Sequence, residues 1–209
     1  MKYTLIPSVI AKNQAELDKR LEKISSLSKV IQLDVMDGDF VKAHSLDFDF
    51  ITPTGKSYES HLMINSPEEW INENANNSKI IFFHIESTKN PSKIITLIRK
   101  KRRKVGIVIN PKTPIRKIIS YLEKVDALSI MTVSPGKYGA EFLPETLAKV
   151  RQIREINKKI DIEVDGGINE KTILKAKQAG ANHFVVGSYL QNSSNPKKDF
   201  IKLKNKLKL

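Results

Sequence analysis

Eight short apolar segments, rich in β-branched residues, recur along the chain and alternate with segments of helical character. This alternation limits the possible folds because strands separated by helices form parallel sheets. Eight repeats at nearly even spacing favour closure into a single (β/α)8 (TIM) barrel of the α/β class over an open, doubly wound sheet. The predicted strands are Tyr3–Val9, Val30–Met36, Tyr58–Ile64, Ile80–Glu86, Val105–Asn110, Ala127–Val133, Ile162–Asp165 and His183–Gly187.

The segments between the strands carry helix start signals. Four of them begin with Pro, a fifth follows Pro196, and Ser66 and Asn169 stand where N-caps are expected. The predicted helices are Gln14–Ser26, Pro67–Glu73, Pro91–Arg103, Pro114–Leu122, Pro144–Asn157, Glu170–Ala179 and Lys197–Leu207, with Leu46–Thr52 as a further candidate. Because no linker or change of composition interrupts the pattern, residues 1–209 are predicted to form one domain.

The composition narrows the class of protein. The 209 residues include no Cys, which excludes disulfides and thiolate metal sites and fits a reducing compartment. The apolar run at the N-terminus is too short for a signal peptide, and no segment is long enough to span a bilayer. We therefore expect a soluble, cytoplasmic protein without a membrane partner.

The formal net charge of +13 raises the question of nucleic-acid binding. Lysines are spread over all the predicted helices, and the one dense basic run, residues 100–104, ends a helix where basic side chains are favourable. No nucleic-acid-binding motif accompanies the charge, so we predict no nucleic-acid partner. A positive surface would also raise the local concentration of an anionic substrate such as a phosphate ester.

Polar side chains stand near the ends of several strands, where barrels of this kind carry their active sites. Because side chains alternate along a strand, Gln32 and Asp34 share one face. If these faces point inward, Asp34, His61 and Asp165 meet at the barrel mouth. One buried polar group usually makes a structural hydrogen bond, but three at equivalent positions favour a site for a divalent metal ion, since unpaired buried carboxylates are costly.

Methionines and glycines stand beside this cluster in the sequence. Met36, Met63 and Met131 lie at strand ends, where thioethers would line the site without adding a base, although Met is ordinarily a core residue. One Gly-Gly pair indicates only a turn, but Gly166-Gly167 and Gly187-Ser188 follow consecutive strands, as in the phosphate sites of barrels. The loop after the sixth strand contains Gly136 and Gly139, which suit either lid hinges or a plain turn.

Together these segments resemble the ribulose-phosphate 3-epimerases, in order, from Ser8 to about Leu190. The strand-two signature is Leu33-Asp34-Val35-Met36-Asp37-Gly38, followed by Phe40-Val41. The other matching segments are Ile6-Pro7-Ser8, His61-Leu62-Met63, Met131-Thr132-Val133, Pro135-Gly136 with Phe142, Val164-Asp165-Gly166-Gly167-Ile168, Gly180-Ala181 and Val186-Gly187-Ser188.

The resemblance implies a metal-assisted epimerisation at C3 of a ketose phosphate, normally ribulose 5-phosphate to xylulose 5-phosphate, in a homo-oligomer. It implies that Asp34 and Asp165 are the acid/base groups. Both would hold one divalent ion (Zn, Mn, Fe, Co or Mg) together with His61, and His61 would also contact the substrate. It further implies that Ser8, Met36, Met63 and Met131 line the site, that the Gly136 to Gly139 loop covers it, and that Gly166, Gly167, Gly187 and Ser188 bind the phosphate.

The chain departs from the family pattern at three places. Gln32 stands where the family has a metal-binding His, and its carbonyl oxygen suits magnesium or manganese better than zinc. The loop Gly136-Lys137-Tyr138-Gly139-Ala140 lacks the family's Phe-Gly-Gly-Gln run, and Lys137 is either a phosphate contact or a solvated surface residue. Lys42-Ala43 replaces Pro-Asn. Two alternatives therefore stay open: an epimerase of a hexulose phosphate such as allulose 6-phosphate, and a phosphosugar-binding barrel that has lost catalysis.

Overall fold

A computed structural model describes residues 2–136 and 139–208 of the chain. Within these residues eight parallel strands form a closed barrel, because the first strand pairs with both the second and the last. The predicted (β/α)8 barrel is thus confirmed. The strands are β1 (Thr4–Val9), β2 (Val30–Asp37), the short antiparallel β3 (His44–Ser45) beside β2, β4 (Ser57–Met63), β5 (Ile80–His84), β6 (Lys104–Ile109), β7 (Ala127–Met131), β8 (Asp161–Asp165) and β9 (His183–Val186).

Helices surround the barrel and bury one face each against its outer surface. In the first helix, for example, Leu17, Leu21 and Ile24 are buried at helical spacing, and the Asn13 side chain caps the N-terminus by accepting from the Glu16 amide. The α-helices are α1 (Gln14–Ile24), α2 (Glu68–Asn74), α3 (Pro91–Lys100), α4 (Leu147–Ile156), α5 (Ile173–Ala179), α6 (Ser188–Gln191) and α7 (Pro196–Leu207). Among the described residues, no helix is long and apolar enough to cross a membrane.

Two predicted helices are wrong. The segment Pro114–Leu122 forms two short 3-10 turns, Ile115–Lys117 and Ile119–Tyr121, with bonds between residues three apart. Three β-branched isoleucines weaken an α-helix there, and the two turns bury mainly Ile118 and Leu122. Leu46–Thr52 is not helical either, and Leu46 itself has a positive φ of 50°.

Other boundaries differ by a few residues. The side chain of Ser66 does not cap α2, because Ser66 has a φ of 48° and Pro67 occupies the N-cap position. Helix α5 begins at Ile173 instead of Glu170, since the Asn169 side chain accepts from two backbone amides and folds the residues between into a turn. Strand β5 ends at His84 and β7 at Met131, two residues earlier than predicted, and neither β3 nor α6 was predicted.

The barrel interior is packed and becomes polar toward the carboxyl ends of the strands. Phe82, Val108 and Ala127 fill its lower part. Gly106 makes room for the Phe82 ring, since a Cβ at that position would lie 2.1 Å from a ring carbon. Above this layer the strands turn Gln32, Glu59 and other polar side chains inward, and these two residues lie beneath the cavity described next.

Candidate functional site

Asp34, His61 and Asp165 converge at the carboxyl end of the barrel. Strand register places Asp34 directly beside His61, and Asp165 comes from the end of β8. The Nδ1 atom of His61 lies 3.3 Å from Asp34 Oδ1 and 3.1 Å from Asp165 Oδ2. All three side chains are buried, and one donor atom of each lies within 4.8 Å of the other two. The three residues therefore form a possible binding group for a divalent metal ion.

The side chain of Gln32 lies among these three groups and is fully buried. Its Nε2 donates to Asp34 Oδ1 at 2.7 Å and to Asp165 Oδ2 at 2.8 Å, and it lies 3.5 Å from His61 Nδ1. Its Oε1 is buried and has no hydrogen-bond partner among the described residues. The structure places Gln32 beside the other candidate ligands and turns its amide nitrogen toward the two carboxylates.

The protonation of the cluster follows from burial and from its two carboxylates. Burial lowers the pKa of His61, but hydrogen bonds and charges from Asp165 and Asp34 outweigh it and raise the pKa to about 9. Burial also raises the pKa of Asp34, and the nearby charge of Asp165 acts in the same direction. His61 is thus an imidazolium at neutral pH, held between two acidic groups.

A second buried histidine, His84, contacts the His61 ring on the side away from the two aspartates. The Nε2 atoms of His61 and His84 are 2.9 Å apart, and Phe40 packs on the His84 ring at a centroid distance of 4.7 Å. Burial lowers the pKa of His84 to about 4, so this ring is neutral. Its Nε2 can therefore accept a hydrogen bond from His61 Nε2. Glu86 lies 3.4 Å from His84 Nδ1, on the far side of the ring. His84 thereby fixes the orientation of His61.

Two glutamates lie below the cluster inside the barrel. Glu59 lies two residues before His61 on β4, and Glu163 lies two residues before Asp165 on β8. Both are fully buried, and Glu59 Oε1 and Glu163 Oε2 have no hydrogen-bond partner among the described residues. Burial raises the pKa of Glu59 to about 7 and that of Glu163 well above its ordinary value. The pair therefore keeps its protons to a higher pH than exposed glutamates do.

Above the cluster a cavity of about 610 Å³ opens to the surface. Its volume suits a small molecule. Gln32 lies beneath the floor of the cavity, and Lys137 and Tyr138 fall outside the described residues. The cavity is lined by all the other residues that the sequence assigned to a site: Ser8, Asp34, Met36, His61, Met63, Met131, Gly136, Gly139, Asp165, Gly166, Gly167, Gly187 and Ser188.

Backbone contacts fix the loops around the cavity. Thr132 donates from its hydroxyl to the carbonyl oxygens of Asp165 and Gly166, which holds the end of β8 against β7. Gly166 needs its glycine, because its φ is 110° and a Cβ would lie 2.3 Å from Val133. Asp37 accepts from the amides of Asp39, Phe40 and Asn65, so this carboxylate organises a loop.

Sequence reasoning gave no role to several residues at or below the site. Lys12 and His44 line the cavity mouth, but Lys12 lies in a loop and His44 in the two-residue strand β3, and no sequence period predicts their paths. Glu59 could have been found, because it lies two residues before His61 and must face the same way. Alternation along the predicted strand Ile80–Glu86 puts His84 and Glu86 on one face, but it does not reveal the contact of His84 with His61.

A closed barrel with acidic and imidazole side chains at the carboxyl ends of its strands defines a (β/α)8 enzyme with its site in the usual place. The sequence profile of the ribulose-phosphate 3 epimerase family matches residues 4–191 of the chain. The chain belongs to this family, and it is an isomerase of the carbohydrate-phosphate epimerase type.

Individual relatives agree with this assignment. A ribulose-phosphate 3-epimerase of Buchnera aphidicola is 37% identical over 209 residues, covering 93% of this chain and 91% of the relative. A ribulose-phosphate 3-epimerase of Schizosaccharomyces pombe is 33% identical and covers 96% of this chain and 92% of the relative. Among solved structures, 3-hexulose-6-phosphate synthase from Salmonella typhimurium superposes with a TM-score of 0.72 at 13% identity, covering 99% of this chain and 98% of that one. The likeness to that structure concerns the fold alone.

Proposed function

We propose that the protein interconverts D-ribulose 5-phosphate and D-xylulose 5-phosphate by moving the proton at C3. The observation that carries the proposal is the placement of Asp34 and Asp165, two carboxyl groups that face one cavity and share one buried hydrogen-bond donor. Epimerisation requires one group to remove the proton from C3 and another to deliver a proton to the opposite face. Each such transfer is assisted by roughly 10²–10⁴-fold when a positioned side chain performs it.

In this mechanism one aspartate takes the C3 proton, and the electrons of the broken C–H bond move toward the C2 carbonyl to give an enediolate. The other aspartate, protonated at the start, then donates its proton to the opposite face of C3. Asp34 and Asp165 exchange roles in the reverse direction. The neutral His84 keeps His61 in place beside both carboxyl groups while the charge on them changes.

Asp34, His61 and Asp165 would hold the divalent ion of this enzyme. Such an ion, when bound, acts as a Lewis acid that stabilises negative charge on the oxygens of the enediolate. The fit is supported by the tight spacing of the three donor atoms and by the unpartnered Oε1 of Gln32, which can supply a further oxygen. We further propose that this ion is magnesium or manganese, because three of the side chains offer oxygen atoms.

The remaining site residues are assigned to substrate binding. We propose that Gly166, Gly167, Gly187 and Ser188, in the loops after β8 and β9, bind the phosphate, as such loops do in many barrels. Ser8 and the thioethers of Met36, Met63 and Met131 would line the sugar, and Gly136 and Gly139 would flank a covering loop. We also propose that residues 1–209 form one domain of a homo-oligomer located in the cytoplasm, as the family relationship favours.

A hexulose phosphate is the second candidate substrate. Lys42 and Ala43, which replace the family's Pro-Asn, line the cavity and change its wall near the exposed end. Comparing kcat/KM for ribulose 5-phosphate with that for allulose 6-phosphate decides between them. We expect the pentulose phosphate to have the higher value.

Proton NMR in heavy water tests the proposal. Ribulose 5-phosphate is incubated with the protein and magnesium, zinc or manganese, and the manganese is removed by chelation before the spectrum is recorded. We expect deuterium at C3 together with xylulose 5-phosphate. Tight binding of the sugar phosphate without exchange under any of these ions would contradict the proposal and indicate a binding protein.

A further inference from the structure

Gln32 occupies the place toward which three metal-binding side chains point. Its Nε2 lies 2.7 and 2.8 Å from oxygens of Asp34 and Asp165 and 3.5 Å from His61 Nδ1. A cation bound by these three residues must lie among the same atoms, because their donor atoms are all within 4.8 Å of one another. The NH₂ group of the Gln32 amide therefore adjoins the position of such a cation and opposes its binding.

The orientation of the amide follows from hydrogen-bond chemistry. Ionised carboxylates only accept hydrogen bonds, so the group that faces both of them must be the NH₂ end of the amide. This orientation directs the Oε1 of Gln32 away from the carboxylates, where it is buried without a partner among the described residues. A cation reverses the preference, because it repels the NH₂ protons and attracts the carbonyl oxygen.

We propose that the Gln32 amide is a two-position element that sets the cation preference of the site. In one position its NH₂ group cross-links Asp34 and Asp165. When a divalent ion binds to Asp34, His61 and Asp165, the amide turns so that Oε1 becomes a ligand. The inference rests on the proposed function only in that it uses the proposed metal site.

The consequence of this turn is selectivity for cations that prefer oxygen. With Oε1 turned inward, the site contains oxygens from Asp34, Asp165 and Gln32 and one imidazole nitrogen from His61. Magnesium and manganese favour such oxygen-rich sets, whereas zinc gains more from a second imidazole. A histidine at position 32 would shift the balance toward zinc because it exchanges an amide oxygen for an imidazole nitrogen.

Calorimetric titration of Mn²⁺ and of Zn²⁺ into the ion-depleted protein tests the selectivity. The ratio of the two affinities is compared between the wild type and Gln32→His, since the ratio cancels any change in the ion-free protein. We expect the zinc-to-manganese ratio to rise about tenfold or more in Gln32→His. The control is Gln152→His on the exposed side of α4, which introduces the same side chain and should leave the ratio unchanged. An unchanged ratio in a folded Gln32→His protein would overturn the proposal.

Side-chain amide NMR on the ¹⁵N-labelled wild type tests the turn itself. The Gln32 NH₂ signals are assigned by their loss in Gln32→Leu, and Mg²⁺ or Zn²⁺ is then added to saturation. We expect these signals to shift as the hydrogen bonds to the two carboxylates are lost. Binding of an ion with unchanged Gln32 signals would overturn the proposal, as would the absence of binding by any of the three ions. Deuterium exchange at C3 is measured separately, so failure of the amide switch is distinguishable from failure of the epimerase assignment.

Discussion

Asp34 and Asp165 share the amide of Gln32, but they are supported in different ways. Asp34 stands next to His61 in register on neighbouring strands, whereas the backbone of Asp165 is held by the hydroxyl and amide of Thr132. Burial and the charge of Asp165 raise the pKa of Asp34 above its ordinary value. A carboxyl group with a raised pKa is a stronger base once ionised, which suits proton removal from carbon.

Replacing Asp165 with Asn tests its proposed role. The variant Asp165→Asn cannot exchange a proton, so we expect turnover of ribulose 5-phosphate to fall by at least roughly 10²–10⁴-fold. Binding of the phosphate ester, measured by calorimetry, should persist because the glycine loops are unchanged. The control is Asp161→Asn at the opposite end of β8, where an Asn can still accept from the Asn182 side chain. Near-normal turnover of Asp165→Asn would contradict the role.

The raised pKa of His61 predicts that metal binding depends on pH. A metal ion needs the neutral imidazole, but His61 stays protonated up to a pKa of about 9. Affinity should therefore rise by about tenfold per pH unit below that value and level off above it, with release of about one proton per ion at neutral pH. Calorimetry in buffers of different ionisation enthalpy measures the released proton.

His44→Gln, at the exposed mouth of the cavity, is the control for this measurement and should release the same number of protons. Metal affinity that does not vary between pH 6 and 9 would show that the imidazole is neutral before the ion binds.

For single residues, the sequence predicted which way a side chain faces better than it predicted which atoms the side chain contacts. Alternation along β2, β4 and β8 was sufficient to predict that Asp34, His61 and Asp165 converge. The reason is that the side chains of a barrel strand face inward at every second position. The same rule reaches Glu59. The sequence could not predict which end of the Gln32 amide faces the carboxylates, since that depends on side chains from three strands at once.

Among the elements, the loop after β8 requires two consecutive glycines. Gly166 and Gly167 both have positive φ, and a Cβ on Gly167 would lie 2.8 Å from the Cβ of Phe142 and 3.0 Å from its Cα. A side chain at Gly167 would therefore shift the loop that we assign to phosphate binding. Gly55 is a useful comparison, because its φ is also positive, at 82°, but an added Cβ would have no atom within 4 Å.

Gly167→Ala is expected to raise the KM for the sugar phosphate and to lower the melting temperature. Strain from the positive φ costs about 1–2 kcal/mol, and the contact with Phe142 adds to it. Gly55→Ala has similar strain without the contact, so it should lower stability less and leave KM unchanged. Steady-state kinetics and thermal unfolding of both variants provide the test, and an equal effect on KM would argue against the loop assignment.

Element prediction succeeded where a segment buries a regular stripe and failed where burial is irregular. Helices such as α1 and α3 bury side chains at helical spacing, and an Asn side chain caps the N-terminus of each. The segment Pro114–Leu122 has a proline at its start as well, but it buries only a few isolated positions, and two 3-10 turns satisfy these. Helix α6 is only four residues long, too short to produce a period.

For the molecule as a whole, the buried pair Glu59 and Glu163 links stability to pH. Burial raises the pKa of Glu59 to about 7, so the folded protein binds this proton more tightly than the unfolded chain. The resulting stabilisation is complete below the ordinary carboxyl pKa of 4.5 and is lost as the pH rises through about 7.

We therefore expect the free energy of unfolding to decrease between pH 5 and 8 more steeply in the wild type than in Glu59→Gln. Denaturant unfolding at several pH values measures the two slopes. The exposed Glu69→Gln on α2 serves as the control and should retain the wild-type slope. Parallel curves for Glu59→Gln and the wild type would show that the pair is not protonated in the folded state.

The pairing of β1 with β9 affects how the protein is made as well as how it is held together. Because Thr4–Val9 precedes His183–Val186 in the chain, a ribosome completes β1 long before β9. Until then the nascent sheet has two open edges, whose unpaired amides and carbonyls can join another chain. During translation the protein should therefore depend on chaperones until its last strand emerges, and shortening either terminal strand should promote aggregation.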